Sequence, residues 1–134
     1  SDACQNLSDL GYDKVELWMD EKSDHAKPSE VAAAPERFFV QYREMTRMTP
    51  IGICLCDDPQ AEVFDGICRL AKLLKITQIT LPAGPVGTPF NEEIDRLRSR
   101  LAAANYSGIR LSLKTQTGFL TEDPQTAVEL CQAV

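Results

Sequence analysis

Four short segments in which aliphatic and polar side chains alternate, each followed by a stretch of helical periodicity, constrain this chain more than any other feature. The strand candidates are Lys14–Trp18, Pro50–Cys56, Ile76–Leu81 and Ile109–Lys114. Strand and helix in strict alternation require parallel strands joined by crossover helices. Val15 and Leu17 alternate with Glu16 and Trp18, and Ile51, Ile53 and Leu55 alternate with Gly52, Cys54 and Cys56. Ile79 and Leu81 alternate with Gln78, Thr80 and Pro82, and Leu111 and Leu113 with Ser112 and Lys114. Successive strand residues point to opposite faces, so every strand has one aliphatic face and one polar or mixed face. A flat parallel sheet covered on both sides reads instead as continuous apolar runs. The pattern predicts an α/β fold of parallel (β/α) units, with helices on the outer face and a polar inner face lined from the strand ends. An open sheet with one solvated face competes with it. A flavodoxin-like regulatory domain is a third arrangement, with helices covering the face of Cys54, Ser112 and Lys114.

At 134 residues the chain has the size of one domain, whereas a complete eightfold barrel takes roughly 250 residues. The expectation is a single partial barrel domain over 1–134 with four strands. A first short helix is expected from Ala3 to Leu10, ended by Gly11, and a second from Pro35 to Met48 with Pro35 at its first position. Asp57-Asp58-Pro59 is read as the capped start of a third, whose core face is Val63, Ile67, Leu70, Ala71 and Leu74. The fourth opens at Thr88-Pro89 with Glu92 and Glu93 in its first turn, where carboxylates favour the helix dipole. The fifth opens at Asp123-Pro124 and carries Ala127, Val128, Leu130 and Cys131 on its apolar face. Asp20 to Ala34 reads as a long loop.

A net charge of −6 and the lack of a basic stripe argue against nucleic acid. No apolar run approaches the ~20 residues of a membrane span. The five cysteines lack the spacing of a disulfide framework. Cys54 and Cys56 sit two apart on one strand and face the same way, which resists bridging. Cys68 and Cys131 read as small core residues. With no signal-peptide pattern, these features make the cytoplasm the expected compartment.

The end of the last strand carries the most specific chemical signal, because Lys114 is an inward-facing cation where such folds place their functional groups. Its roles are an ion pair with inward carboxylate Glu16, a cation that binds substrate, or an amine nucleophile or base if burial depresses its pKa. Glu16 is the leading acidic candidate, against a structural carboxylate. Trp18 has the form of a stacking platform for a sugar face, against a packed core residue. Glu16 and Lys114 are the catalytic candidates. Trp18, Cys54, Cys56, Thr80 and Ser112, with Gly84 and Gln116 in the loops after the third and fourth strands, are the substrate-binding candidates. The loop Pro82 to Pro89 lacks the glycine spacing of a nucleotide-binding loop and reads as a rigid proline turn. His25 has no relay around it, and Cys54, Cys56, Asp57 and Asp58 fit no structural zinc spacing.

Three segments resemble a known family. Gly11-Tyr12-Asp13-Lys14-Val15-Glu16-Leu17 is similar to the start of the second strand in xylose-isomerase-like TIM barrels, the superfamily of sugar isomerases and epimerases and of endonuclease IV. Leu70-Ala71-Lys72-Leu73-Leu74 with Ile79-Thr80-Leu81-Pro82-Ala83-Gly84 resembles its helix–strand segment. Leu111-Ser112-Leu113-Lys114-Thr115, with Gly118-Phe119-Leu120 and Asp123-Pro124, resembles its fifth strand. The resemblance implies a divalent metal in the relatives, with a metal-binding Glu at the position of Lys114. A protonated ammonium cannot be a ligand, so no cofactor is expected for this chain. The implied function is a divergent sugar or sugar-phosphate isomerase or epimerase, weakly active or inactive. The alternative is a non-catalytic carbohydrate-binding or scaffold module assembled through its barrel edges. The expected partners are a small carbohydrate or sugar phosphate and either further copies of the chain or the remainder of a longer one.

Overall fold

A computed structural model describes residues 14–24 and 26–134; the expected helix from Ala3 to Leu10, Gly11 to Asp13, Cys4 and His25 lie outside the described residues. Strands β1 (Lys14–Met19), β2 (Thr49–Leu55), β3 (Gln78–Pro82) and β4 (Arg110–Lys114) form one sheet in sequential order, all parallel. The connections hold α1 (Pro28–Ala33) and α2 (Pro35–Met45), then α3 (Ala61–Leu74) and α4 (Phe90–Tyr106). After β4 a 3-10 turn (Leu120–Glu122) leads into α5 (Pro124–Ala133). Crossovers of one hand between strands in sequential order lay every helix on the same side. The fold is therefore α/β with a four-stranded parallel sheet, a partial TIM-barrel-like unit. The flavodoxin-like order, which would bring helices to both faces, is not adopted.

The core lies between the sheet and α3. Phe64, Ile67, Leu70, Ala71 and Leu74 are at most 2% exposed and share one cluster with Ile53, Leu55, Ile79 and Leu81 of β2 and β3. Each large aliphatic or aromatic side chain so buried contributes about 1.5–3 kcal/mol. Gly66 of α3 is buried because nothing larger fits: a Cβ there would stand 2.6 Å from the Cβ and the carbonyl oxygen of Ala32. That missing side chain lets α1 cross closely over α3.

The helix starts divide by whether their partners are local. Pro35 opens α2 as expected. Asp123 caps α5, accepting from the Thr126 N–H at 3.1 Å and its hydroxyl at 2.7 Å, and these bonds hold its carboxyl below the usual range. Asp57 and Asp58 do not cap α3, which begins at Ala61 after Gln60. Asp57 accepts from the Glu21 N–H at 3.2 Å, and Asp58 pairs with Arg96. The stretch read as a loop from Asp20 to Ala34 contains α1, with Pro28 in its first turn and Val31 buried. Its alanines favour helix once Val31 has a core to enter.

Three side chains assigned to the core are outside it. Ile51 is 52% exposed. Val15 pairs with Pro50 but Glu16 pairs with Gly52, so Ile51 is the extra residue of a bulge and leaves the aliphatic row. On α5 only Leu130 is buried, while Val128 is 50% exposed and Cys131 is exposed. Beyond β4 there is no further strand among the described residues to cover them.

Helix α3 closes on Lys75 in the left-handed region, at φ 60° and ψ 32°. There the Ile76 N–H reaches Ala71 O at 2.8 Å, a closure that favours glycine. A Cβ in this conformation costs about 1 kcal/mol. Lys75→Gly should therefore raise the unfolding free energy by up to about 1 kcal/mol, read from the urea midpoint. An unchanged or lower midpoint would contradict this cap.

Candidate functional site

On the face of the sheet away from the helices, the register aligns side chains from all four strands. Trp18 stands beside Cys54, Cys54 beside Thr80, and Thr80 beside Ser112. Four of the expected binding residues thus form one row, because each occupies the same phase of a two-residue period. One layer toward the strand starts, Glu16 pairs with Gly52, and Gln78 with Arg110. The absent side chain of Gly52 leaves room for Glu16, whose Oε2 would lie 3.8 Å from a Cβ placed there. Gln78 Nε2 donates to Ser112 Oγ at 3.0 Å, linking the two layers. Gln78 and Arg110 were absent from the expected site, although the same alternation places both on this face.

One contact reports the shape of this surface. Lys114 Nζ, at the end of β4, lies 4.8 Å from the ring centroid of Trp18 on β1. In a flat sheet these strands stand three spacings apart, about 14 Å, and side chains projecting in parallel would not meet. The sheet therefore curls, and the two edge side chains converge over its concave face. Lys114 makes no ion pair with Glu16 within 4.0 Å among the described residues, so the expected ion pair is replaced by a cation–π contact. Trp18 remains 58% exposed and is not a packed core residue. Cys54 is 4% exposed beneath these groups. Burial raises its thiol pKa; the Lys114 charge opposes the shift and that of Glu16 adds to it. Cys56 is raised in the same way, by burial first with Lys114 opposing.

The rim is built by charges that the expected site did not include. Glu93 of α4 is 1% exposed and accepts hydrogen bonds from the Gly84 N–H and from Arg96 Nε. Arg96 also donates to Asp58 Oδ1 at 2.6 Å and to Pro82 O at 3.1 Å. Burial alone would lower the Arg96 pKa, but its bond to Glu93 and the charge of Asp58 outweigh burial and raise it. This network pins the loop after β3. Gly84 fits closely there, since a Cβ would stand 3.0 Å from Thr88 Oγ1 and 3.1 Å from Glu93 Oε2 and those side chains would have to give way by a few tenths of an ångström. The loop after β4 is tied to it, with Leu120 N–H donating to Gly84 O at 2.8 Å and Val86 N–H to Gly118 O at 3.0 Å. Thr121 Oγ1 donates to Lys114 O at 2.7 Å, fixing the backbone that carries the lysine. Gln116 Oε1 is a buried acceptor with no partner among the described residues. Glu93 gave no local signal for this role, because its partner Gly84 belongs to the preceding loop.

No family model matches the sequence, and no curated protein matches it. Among solved structures, the chain is similar to the crystal structure of the IolI protein with a bound zinc atom. The identity is 14% and the TM-score 0.63, over 97% of this chain and 52% of the other. The chain spans about half the length of that structure, and at this identity the likeness shows the fold alone. The resemblance to xylose-isomerase-like barrels is corrected accordingly: no family model supports it, and the described sheet has four strands. Among the described residues no group of three or more His, Cys, Asp and Glu is placed to hold a metal ion. Lys114 at the mouth offers donors only, so the described residues do not fit a zinc site. No helix among them is long and apolar enough to cross a membrane.

Two outcomes test this geometry. Glu93→Ala leaves the Gly84 N–H and Arg96 without their buried acceptor and should cost about 3–5 kcal/mol in urea denaturation. A loss below about 1 kcal/mol would place the pair on the surface. For the thiols, burial pushes Cys68 up to about 12, with Asp65 adding to the shift. Because the thiolate is the reactive form, iodoacetamide at mildly alkaline pH should label exposed Cys131 first and Cys68 last among Cys54, Cys56, Cys68 and Cys131. Early labelling of Cys68, mapped by peptide mass spectrometry, would contradict that burial.

Proposed function

We propose that the concave face binds a small sugar or sugar phosphate and supports proton-transfer chemistry of the isomerase or epimerase type, with weak turnover. The observation that carries this reading is the convergence of Lys114 and Trp18, 4.8 Å apart, above Cys54 and beside the layer of Glu16. An exposed indole offers a stacking platform to the apolar face of a sugar ring. The Lys114 ammonium offers a charge to a phosphate or to a carbonyl oxygen that gains negative charge. Glu16 is a carboxylate in the adjacent layer, suited to accept hydroxyl hydrogen bonds. It also supplies a base for the proton on the carbon next to a sugar carbonyl. In this reaction Glu16 removes that proton and the electron pair moves into the carbonyl, giving an enediolate whose oxygen Lys114 stabilises. Return of the proton to the neighbouring carbon, with the hydroxyl proton passing to the former carbonyl oxygen, isomerises the sugar, and return of a proton to the opposite face of the original carbon epimerises it. The position of Lys114 at the carboxyl end of β4 supports its part in the assignment, since barrel-type sheets carry their chemistry there.

Trp18 is the only tryptophan of the chain, so its fluorescence reports on the site directly. Sugars and sugar phosphates that bind should change its emission, and Lys114→Met should weaken the response to phosphorylated ligands more than to neutral ones. Proton exchange from the carbon next to the carbonyl, followed by NMR in deuterium oxide, detects the chemical step even when turnover is slow. Glu16→Gln should reduce that exchange by about a hundredfold or more while the fluorescence response persists. A fluorescence response with no exchange would favour the second reading, a non-catalytic carbohydrate-binding or scaffold module. No response to any ligand would overturn both.

A further inference from the structure

We infer that Lys114 is a strap: it reaches across the concave face to Trp18, closes the floor beneath it, and lifts when an oxyanion takes its ammonium. Lys114 stands on β4 and Trp18 on β1, with β3 and β2 between them. Lys114 pairs with Pro82, while Trp18 lies one layer nearer the strand starts, beside Cys54. Their contact at 4.8 Å therefore runs diagonally over the ends of both middle strands. Burial on this face follows that line. No helix among the described residues covers it, yet Cys54 is 4% exposed and Pro82 is buried, with Cys56 and Thr80 half-buried. Glu16, Gln78 and Arg110, in the layer nearer the strand starts, are exposed. The charge of Lys114 is felt at both Cys54 and Cys56, as it must be if the ammonium passes above them.

Magnitudes decide when the strap lifts. A cation–π contact at a partly exposed site shifts an equilibrium about two- to fivefold. A hydrogen bond from the ammonium to an ionised oxygen shifts one by more than about tenfold. Lys114 has no carboxylate within 4.0 Å among the described residues, so no acid of the chain already holds it by charge. An oxyanion that reaches the face therefore draws Lys114 away from Trp18 and uncovers the floor. Trp18 stays open to a ligand throughout, since the strap leaves it 58% exposed. The empty face thus keeps Cys54 out of water, and the occupied face does not. That the oxyanion is the phosphate of a sugar rests on the function proposed above; the strap itself does not, and its test uses no sugar.

Cys54 reports the state of the strap. When iodoacetamide alkylates it, the sulfur bonds to the reagent's carbon, iodide leaves, and the thiol proton goes to solvent. Cys68, 2% exposed within α3, serves as the internal reference. Trp18→Ala removes the strap's anchor and keeps the Lys114 charge that favours the thiolate. In that variant, with circular dichroism retained, the ratio of Cys54 to Cys68 labelling should rise at least about threefold, as read from fragment mass spectra. On the natural sequence, inorganic phosphate should raise the same ratio above its value in sodium chloride of equal ionic strength. That arm keeps the test decisive if the alanine variant fails to fold. A ratio that a folded Trp18→Ala leaves unchanged overturns the strap. So does a ratio that phosphate leaves unchanged or lowers.

Discussion

The buried stripe of α3 against β2 and β3 is the contact on which the other features depend. Parallel strands can be joined only by crossovers, and crossovers of one hand deliver every helix to the same side of the sheet. The aliphatic half of each strand therefore has to face that side, and Ile53, Leu55, Ile79 and Leu81 do so against Phe64, Ile67, Leu70 and Leu74. Among the described residues the opposite face meets no helix. Its side chains are for that reason polar or amphipathic, so the row of Trp18, Cys54, Thr80 and Ser112 follows from how the core is made. Gly66 shows how tightly the arrangement is drawn, since one methyl group at that position would collide with α1.

The ends of the strands are held by charge instead of apolar packing. Glu93 is removed from water and Arg96 largely so, which is costly for any ion pair, yet their hydrogen bonds beyond α4 land on segments bordering the concave face. Arg96 ties α4 to Asp58 after β2 and to Pro82 at the end of β3, while Glu93 grips Gly84. Backbone groups at loop positions have no strand partner, and a buried carboxylate and guanidinium satisfy them directionally where an apolar side chain could not. The rim that carries Lys114 is thus rigid through the loops as well as through the sheet, with Thr121 holding the lysine's own carbonyl.

Much of this was legible along the chain wherever the cause is local. Trp18, Cys54, Thr80 and Ser112 fall in one row because each sits on the polar phase of its own strand. Asp123 caps its helix because its partner Thr126 is three residues away. Where the partner is remote, local reasoning failed. Asp58 had the form of a helix cap, but Arg96, far along the chain, holds it. Ile51 had the correct phase for the core until a bulge against β1 displaced it. The family-like strings also have a local origin. A helix closing on a left-handed residue, a strand end and a proline turn are what any (β/α) unit needs, so such strings track the fold without establishing kinship.

By itself the sequence determined the α/β class, the parallel direction of the strands and which side chains share the face opposite the helices. Periods of two and of 3.6 residues are steric properties of neighbouring residues and need no knowledge of the rest of the chain. Only the tertiary structure decided that Lys114 meets Trp18 instead of pairing with Glu16. It also decided that Glu93 is a buried anchor and that Cys131 and Val128 stand outside the core. Each of these depends on the curl accumulated across the sheet or on loops meeting from distant segments. A curl is a sum over strand pairings, so no single stretch of residues contains it.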